Sequence, residues 1–193
     1  MADSDGIEPH RTGEVRRETV ALRRLRMSDA AAVHEAFASA GDMARQGDVT
    51  TAEGAERYVA RLLEASSSHE AWAIVEADEL IGLIGVTVDE ENRSGWFWYW
   101  MTHRARGRGL TRRAASTVAE WALTERGLER LELGHRADNP ASGAVARGAG
   151  FVREGAERGK FLIDGQRIDV ETYGRLRADP APEFDTLPLL IGL

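Results

Sequence analysis

The stretch that most constrains this chain runs from Trp96 to Arg113. Trp96-Phe97-Trp98-Tyr99-Trp100 has the aromatic character of an extended strand. Arg104-Ala105-Arg106-Gly107-Arg108-Gly109 follows, and then Leu110, Ala114, Val118 and Ala122 recur at helical spacing. Five arginines and two glycines fall within residues 104–113, without an acid, in a chain of formal net charge −7. Glycine lets the backbone turn tightly and approach a ligand closely. A loop entering a helix leaves the first N–H groups of that helix unpaired and aimed at whatever anion sits there. Strand, basic glycine loop and helix start together predict a seat for a pyrophosphate. A dinucleotide-binding fold is the rival reading, but Gly107-x-Gly109-x-x-Arg112 lacks the third glycine, and the loop follows a fourth strand rather than a first.

Composition narrows the chemistry. A length of 193 residues, 42% hydrophobic and 30% charged, fits one globular domain with a sizeable core. No apolar run reaches the ~18 residues of a membrane span, and the N-terminus MADSDGIEPHRTGE lacks the apolar core of a signal peptide. Cysteine is absent, which removes disulfides, thiolate metal sites and a cysteine acyl-enzyme, and suits a reducing, cytoplasmic setting. The five histidines show no paired ligand spacing, so no metal is expected. The acidic balance argues against a nucleic-acid partner, whose phosphates favour a basic surface. The positive charge is nearly all arginine, Lys160 being the single lysine.

Along the chain, residues 1–17 read as a loose polar segment, residues 18–177 as the folded domain and 178–193 as a tail. Residues 19–25 read as a strand, followed by a helix that Ser28-Asp29 would cap. A second helix spans about residues 51–63, with Thr50 and Glu53 spaced as a capping box. Strands are expected over Ala71–Val75, Leu80–Val88 and Gly95–Met101, separated by turn-forming Ala77-Asp78-Glu79 and Asp89-Glu90-Glu91-Asn92. The helix from Leu110 ends near Gly127, and Leu128–His135 alternates as a strand. Asn139-Pro140 is a strong helix start, and Gly148 or Gly150 its stop. Phe151–Glu154 and Ile168–Tyr173 close the series as strands joined across Asp164-Gly165. The order β-α-α-β-β-β-α-β-α-β-β predicts an α/β chain of the α+β kind, a mixed sheet flanked by helices.

In their order these residues resemble the GCN5-related N-acetyltransferases, within them the group that acetylates N-termini of ribosomal proteins. Arg104, Gly107 and Gly109 match that family's acetyl-CoA loop, Gln/Arg-x-x-Gly-x-Gly/Ala. Tyr99-Trp100-Met101, Asn139-Pro140-Ala141-Ser142, Gly150-Phe151, Glu154-Gly155 and Asp169–Tyr173 are similar to the group's later motifs, over about residues 18–177. The resemblance implies a mostly antiparallel sheet of about seven strands with about four helices. It implies acetyl-CoA as acyl donor, without metal, held by Arg104, Arg106, Gly107, Arg108, Gly109, Leu110, Thr111 and Asn139. It also implies a strand that parts from its neighbour, a backbone N–H at Met101 polarising the thioester carbonyl, and Ser142 near the sulfur as donor to the leaving thiolate. The acceptor would be a primary amine, a peptide N-terminus first and a small amine such as an antibiotic or polyamine second. A non-catalytic CoA-binding module and a homodimer are further possibilities.

Structural readings stand beside these. Alternation places the three tryptophans of the aromatic run on one face and Phe97 and Tyr99 on the other, so core packing alone accounts for most of them. Asn139 can serve purely as a cap, and Ser142 as a small polar residue in a first helical turn. No general base stands out: the place near Phe161 where related enzymes carry a glutamate is apolar, Glu157 is displaced, and Glu132, His135 and Asp169 are unranked. Deprotonating a lysine at pH 7 costs about 4.6 kcal/mol, against about 1.4 for an α-amine, so a site without a base suits the α-amine. The apolar end, Leu187–Leu193, docks on the core, pairs with a second subunit or stays unordered.

Overall fold

The computed structural model describes residues 20–65, 68–183 and 185–190. The segment 1–17, Thr19, Ser66 and Ser67 of the expected turn, and the last three residues of the apolar end lie outside the described residues. Strands β1 (Val20–Arg24), β2 (His69–Glu76), β3 (Glu79–Asp89) and β4 (Ser94–Met101) form an antiparallel meander. Beyond it lie β5 (Arg130–Arg136), β7 (Gln166–Leu176) and β6 (Val152–Ile163), antiparallel to one another in that order. With β8 (Leu189–Leu190) the full order is β6-β7-β5-β4-β3-β2-β1-β8, parallel at β4–β5 and β1–β8. The sheet is therefore mixed and mostly antiparallel, with one strand more than expected because the tail adds β8.

Two apolar layers sandwich this sheet. Helices α1 (Ala30–Ala38) and α2 (Ala52–Leu63) cover one face, where Val33, Phe37 and Val59 pack on Ala73, Leu83 and Trp100. Helices α3 (Leu110–Thr124) and α4 (Pro140–Gly148) cover the other, where Leu110, Ala114, Val118 and Ala146 meet Phe97, Leu131 and Leu133. The alternation read along the aromatic run holds: Trp100 lies in the first layer, Phe97 in the second. Trp96 departs from core packing and is 43% exposed, because α1 and α2 do not reach that far across the sheet.

Several local details differ from the sequence reading. The cap of α2 is Thr51, not Thr50: Thr51 is extended and its side chain accepts from the Gly54 N–H at 3.1 Å. Asp29 precedes α1 without capping it by its side chain. Its carboxylate is taken instead by the buried Arg23 guanidinium, at 2.8 and 2.9 Å, and by the Arg26 N–H. A charge-assisted bidentate pair outweighs a neutral cap. The last two strands are far longer than Phe151–Glu154 and Ile168–Tyr173, since β6 is mostly exposed and shows no apolar alternation to read. Helix α3 ends at Thr124, short of Gly127.

The tail docks on the core. Leu187 is buried in the α3 layer, and its N–H donates to the Thr117 hydroxyl at 2.9 Å. Arg113 donates to the Thr186 carbonyl, and the Leu22 N–H to that of Pro188, which brings β8 alongside β1. Removing a buried leucine side chain costs about 2–5 kcal/mol. Leu187→Ala should lower the unfolding free energy by about that amount in a urea titration; an unchanged midpoint would show that the tail is not seated.

Candidate active site

The site begins with a break in the sheet. β4 and β5 pair in parallel over three positions, Ser94–Trp96 with Arg130–Glu132, and then part. β4 runs on to Met101 against β3, and β5 to Arg136 against β7. In the gap opens a cleft of about 510 Å³. The Thr102 N–H donates to the Ile81 carbonyl on the β3 side at 2.9 Å. Backbone direction alternates along a strand, so the Met101 N–H points the other way, into the gap.

One end of the cleft is the start of α3. Gly107 and Gly109 have φ of +76° and +73°, a left-handed conformation costly for other residues. Gly109 occupies the cap position, and with no side chain it caps nothing. No acid lies in the first turn, and a Cβ built at either glycine would meet open space. The N–H groups of Leu110 and Thr111 thus have no partner within their own helix. Dipole, free donors and open space suit an anion there.

The far wall is the start of α4. Asn139 Oδ1 accepts from the Ser142 N–H at 3.2 Å, and Asn139 Nδ2 donates to Ser142 Oγ at 3.1 Å. The asparagine therefore both caps the helix and fills an acceptor lone pair of the serine, leaving the hydroxyl hydrogen to point elsewhere. Across the gap, the Tyr99 hydroxyl donates to the Ser142 carbonyl at 3.3 Å. Burial pushes the Tyr99 phenol up to about 12, with the hydrogen bond to Ser142 opposing weakly, so near neutrality it is a neutral donor.

The remaining wall is the 3-10 turn Gly41–Gln46, which supplies Asp42, Met43 and Gln46. Arg106 ties it to the glycine loop before α3. Its guanidinium donates to both oxygens of Asp42, at 2.7 and 3.2 Å, and its Nε donates to the Met101 carbonyl at 3.1 Å. Those bonds hold the Asp42 carboxyl below the usual carboxylate range.

With this geometry in hand, known proteins locate the chain. A family model described as an acetyltransferase (GNAT) domain matches residues 19–152. The chain belongs to the GNAT acetyltransferase family. Among its GNAT relatives is the ribosomal-protein-serine acetyltransferase of Escherichia coli (strain K12), 31% identical over 53% of this chain and 58% of that protein. A probable N-acetyltransferase of Bacillus subtilis (strain 168) is 26% identical over 84% of this chain and 96% of its own length. The alignments thus span little more than half of the first of these and nearly all of the second. Two solved GNAT structures share the fold. A ribosomal L7/L12 α-N-protein acetyltransferase in complex with coenzyme A has TM-score 0.71 at 24% identity, covering 82% of this chain and 94% of its own. A spermidine N-acetyltransferase chimera from Vibrio cholerae and hSSAT has TM-score 0.73 at 21% identity, covering 83% and 96%.

Ser142, Asn139, Met101, Arg106, Gly107, Gly109 and Thr111, all named from sequence, line the one cleft. Others do not. Arg104 turns outward to Glu79 at 2.5 Å, and Arg108 pairs with both oxygens of Glu76. The acids that draw them away sit on β2 and β3, invisible to a reading of the loop alone. Leu110 buries its side chain in the core, so its N–H is what the site receives. None of the base candidates lines the cleft: Glu132 pairs with Arg130, Asp169 accepts from the Gly159 N–H, and His135 is buried with Nδ1 at the Arg136 carbonyl. Missed from sequence were the phenol of Tyr99 as a bridge across the gap and the Asp42 wall; the latter's segment carries no motif.

All three tyrosines have raised phenols, chiefly through burial. A raised folded-state pKa contributes stability that is complete below the unfolded value near 10 and is lost as pH climbs past it. Stability should therefore fall as the pH rises past about 10, and tyrosinate absorbance should develop at higher pH in the folded chain than in the urea-unfolded chain. Coincident titration of the folded and unfolded chains would contradict this.

Proposed function

We propose that the chain is an N-acetyltransferase that moves an acetyl group from acetyl-CoA to a primary amine by direct transfer, with a peptide N-terminus as the favoured acceptor. One observation carries the reading: the parted strands β4 and β5 open beside an uncapped, acid-free helix start with two left-handed glycines. The cleft suits a long, flexible ligand with a pyrophosphate at one end and a reactive group at the other. Family membership supports the donor, and the names of relatives support the acceptor class.

When bound, acetyl-CoA supplies an activated acetyl thioester. The residues then divide the work. The N–H groups of Gly109, Leu110 and Thr111 hold the pyrophosphate. The Met101 N–H, already aimed into the gap, donates to a carbonyl oxygen as it gains charge. Ser142, its lone pair occupied by Asn139, gives its hydrogen to the departing sulfur and is replenished from water. Tyr99 holds the first turn of α4, and with it Ser142, at a fixed distance from β4. The amine's proton leaves to solvent, since the carboxylate lining the cleft, Asp42, is far too weak a base to keep it. With no cysteine in the chain, no thiol acyl-enzyme forms.

The relative named as a ribosomal-protein-serine acetyltransferase supports an acceptor of one amino group over a polycation. A peptide beginning with serine is therefore the first acceptor to try, and spermidine the control.

Two substitutions test the reading. Gly107→Val should abolish CoA binding in calorimetry while the chain stays folded, because a side chain at a left-handed position disrupts the phosphate seat. Ser142→Ala should leave CoA affinity intact and slow thiol release about a hundredfold. Wild-type protein that shows no affinity for CoA would overturn the proposal.

A further inference from the structure

Asp42 is the one carboxylate among the residues lining the cleft, and it is held by an arginine of the phosphate loop itself. That single guanidinium bridges two acceptors: the Asp42 carboxylate and the Met101 carbonyl at the end of β4. A pyrophosphate bears two charges to a carboxylate's one and presents the same bidentate edge, so it competes for Arg106. Arg106 lies one residue before Gly107, within side-chain reach of the phosphate seat. Once it turns there, Asp42 and the Met101 carbonyl are left facing each other across the place where the guanidinium lay.

We propose that Asp42 is a specificity-determining residue that binds the acceptor's amino group, with Arg106 holding its place until cofactor phosphate draws the arginine away. This rests on the acetyltransferase reading above. An amino group fits the vacated seat because it offers at least two N–H donors to two oxygens. In that pose the nitrogen's lone pair stays free, and it sits beside the Met101 backbone where the thioester carbonyl is expected. A hydroxyl has one donor and leaves one oxygen unsatisfied, so alcohols are rejected on the same ground. Filling the donor site thereby prepares the acceptor site.

The exchange predicts effects of opposite sign, which a merely structural pair would not give. Asp42→Asn removes the competitor for Arg106 without emptying the space, and Asp42 is about half exposed, so folding is spared. CoA should bind about threefold tighter in calorimetry, the size of an exposed ion pair. KM for a serine-initiated hexapeptide should rise about tenfold or more, with kcat changed far less. In an Arg106→Gln background, Asp42→Asn should no longer alter CoA affinity. Weaker CoA binding in Asp42→Asn, tighter binding that survives in the Arg106→Gln background, or an unchanged acceptor KM each overturns the inference while leaving the acetyltransferase reading intact. Wild-type protein that binds no CoA and acetylates neither the hexapeptide nor spermidine overturns both.

Discussion

The molecule turns on a backbone hydrogen-bond ladder that stops. β4 and β5 are parallel for three residue pairs, and then each stays with its other neighbour. Groups freed in the middle of a sheet must find partners, and in most sheets they would be sealed by the next strand. Here the gap is held open from both sides, by β3 gripping β4 and by β7 gripping β5 along its whole length. Helices α3 and α4 start at the mouth of the opening, α4 capped by Asn139 and α3 with the N–H groups of Leu110 and Thr111 unpaired within the helix. Both the cleft and the inward-facing Met101 N–H follow from that one interruption.

The charge of the loop before α3 is largely met by acids from elsewhere in the fold. The arginine-rich loop looks like a cationic patch in sequence, yet Arg104, Arg106 and Arg108 each meet an acid from a distant element: Glu79, Asp42 and Glu76. Exposed pairs of this sort contribute little to stability. Their effect is on where the loop sits and on what field a ligand meets. The amides of the helix start, unlike the side chains, have no competing acid in the first turn. At this end of the cleft the backbone donors stand without an acid of their own, while the three arginines are already paired.

How much of this was legible depended on whether residues carried their own local signal. The helix from Leu110 and the cap at Asn139-Pro140 were readable because periodicity and capping chemistry act within a few residues. Tyr99, placed in a strand by its aromatic neighbours, gave no hint of its reach to Ser142, a contact 43 residues distant. Asp29 looked like a cap and became half of a buried ion pair, because Arg23 arrives from β1. The length of β6 was hidden, since a strand exposed on both faces needs no alternation. Asp42, Met43 and Gln46 enter the site through a short 3-10 turn whose sequence has no distinguishing composition.

The two borders of the sheet are finished in different ways. At β1, the returning segment Pro188–Leu190 pairs with Leu22 and Arg23, so the sheet ends on a border strand of two residues. At β6 no strand follows in the sheet order, yet the border carries Arg153, Glu154, Glu157, Arg158 and Lys160, and its pairing with β7 shifts register twice. Irregular, charged borders are poor templates for stacking with another chain. A protein built this way keeps its ragged ladder for a ligand in the interior and offers strangers no continuous rail along its rim.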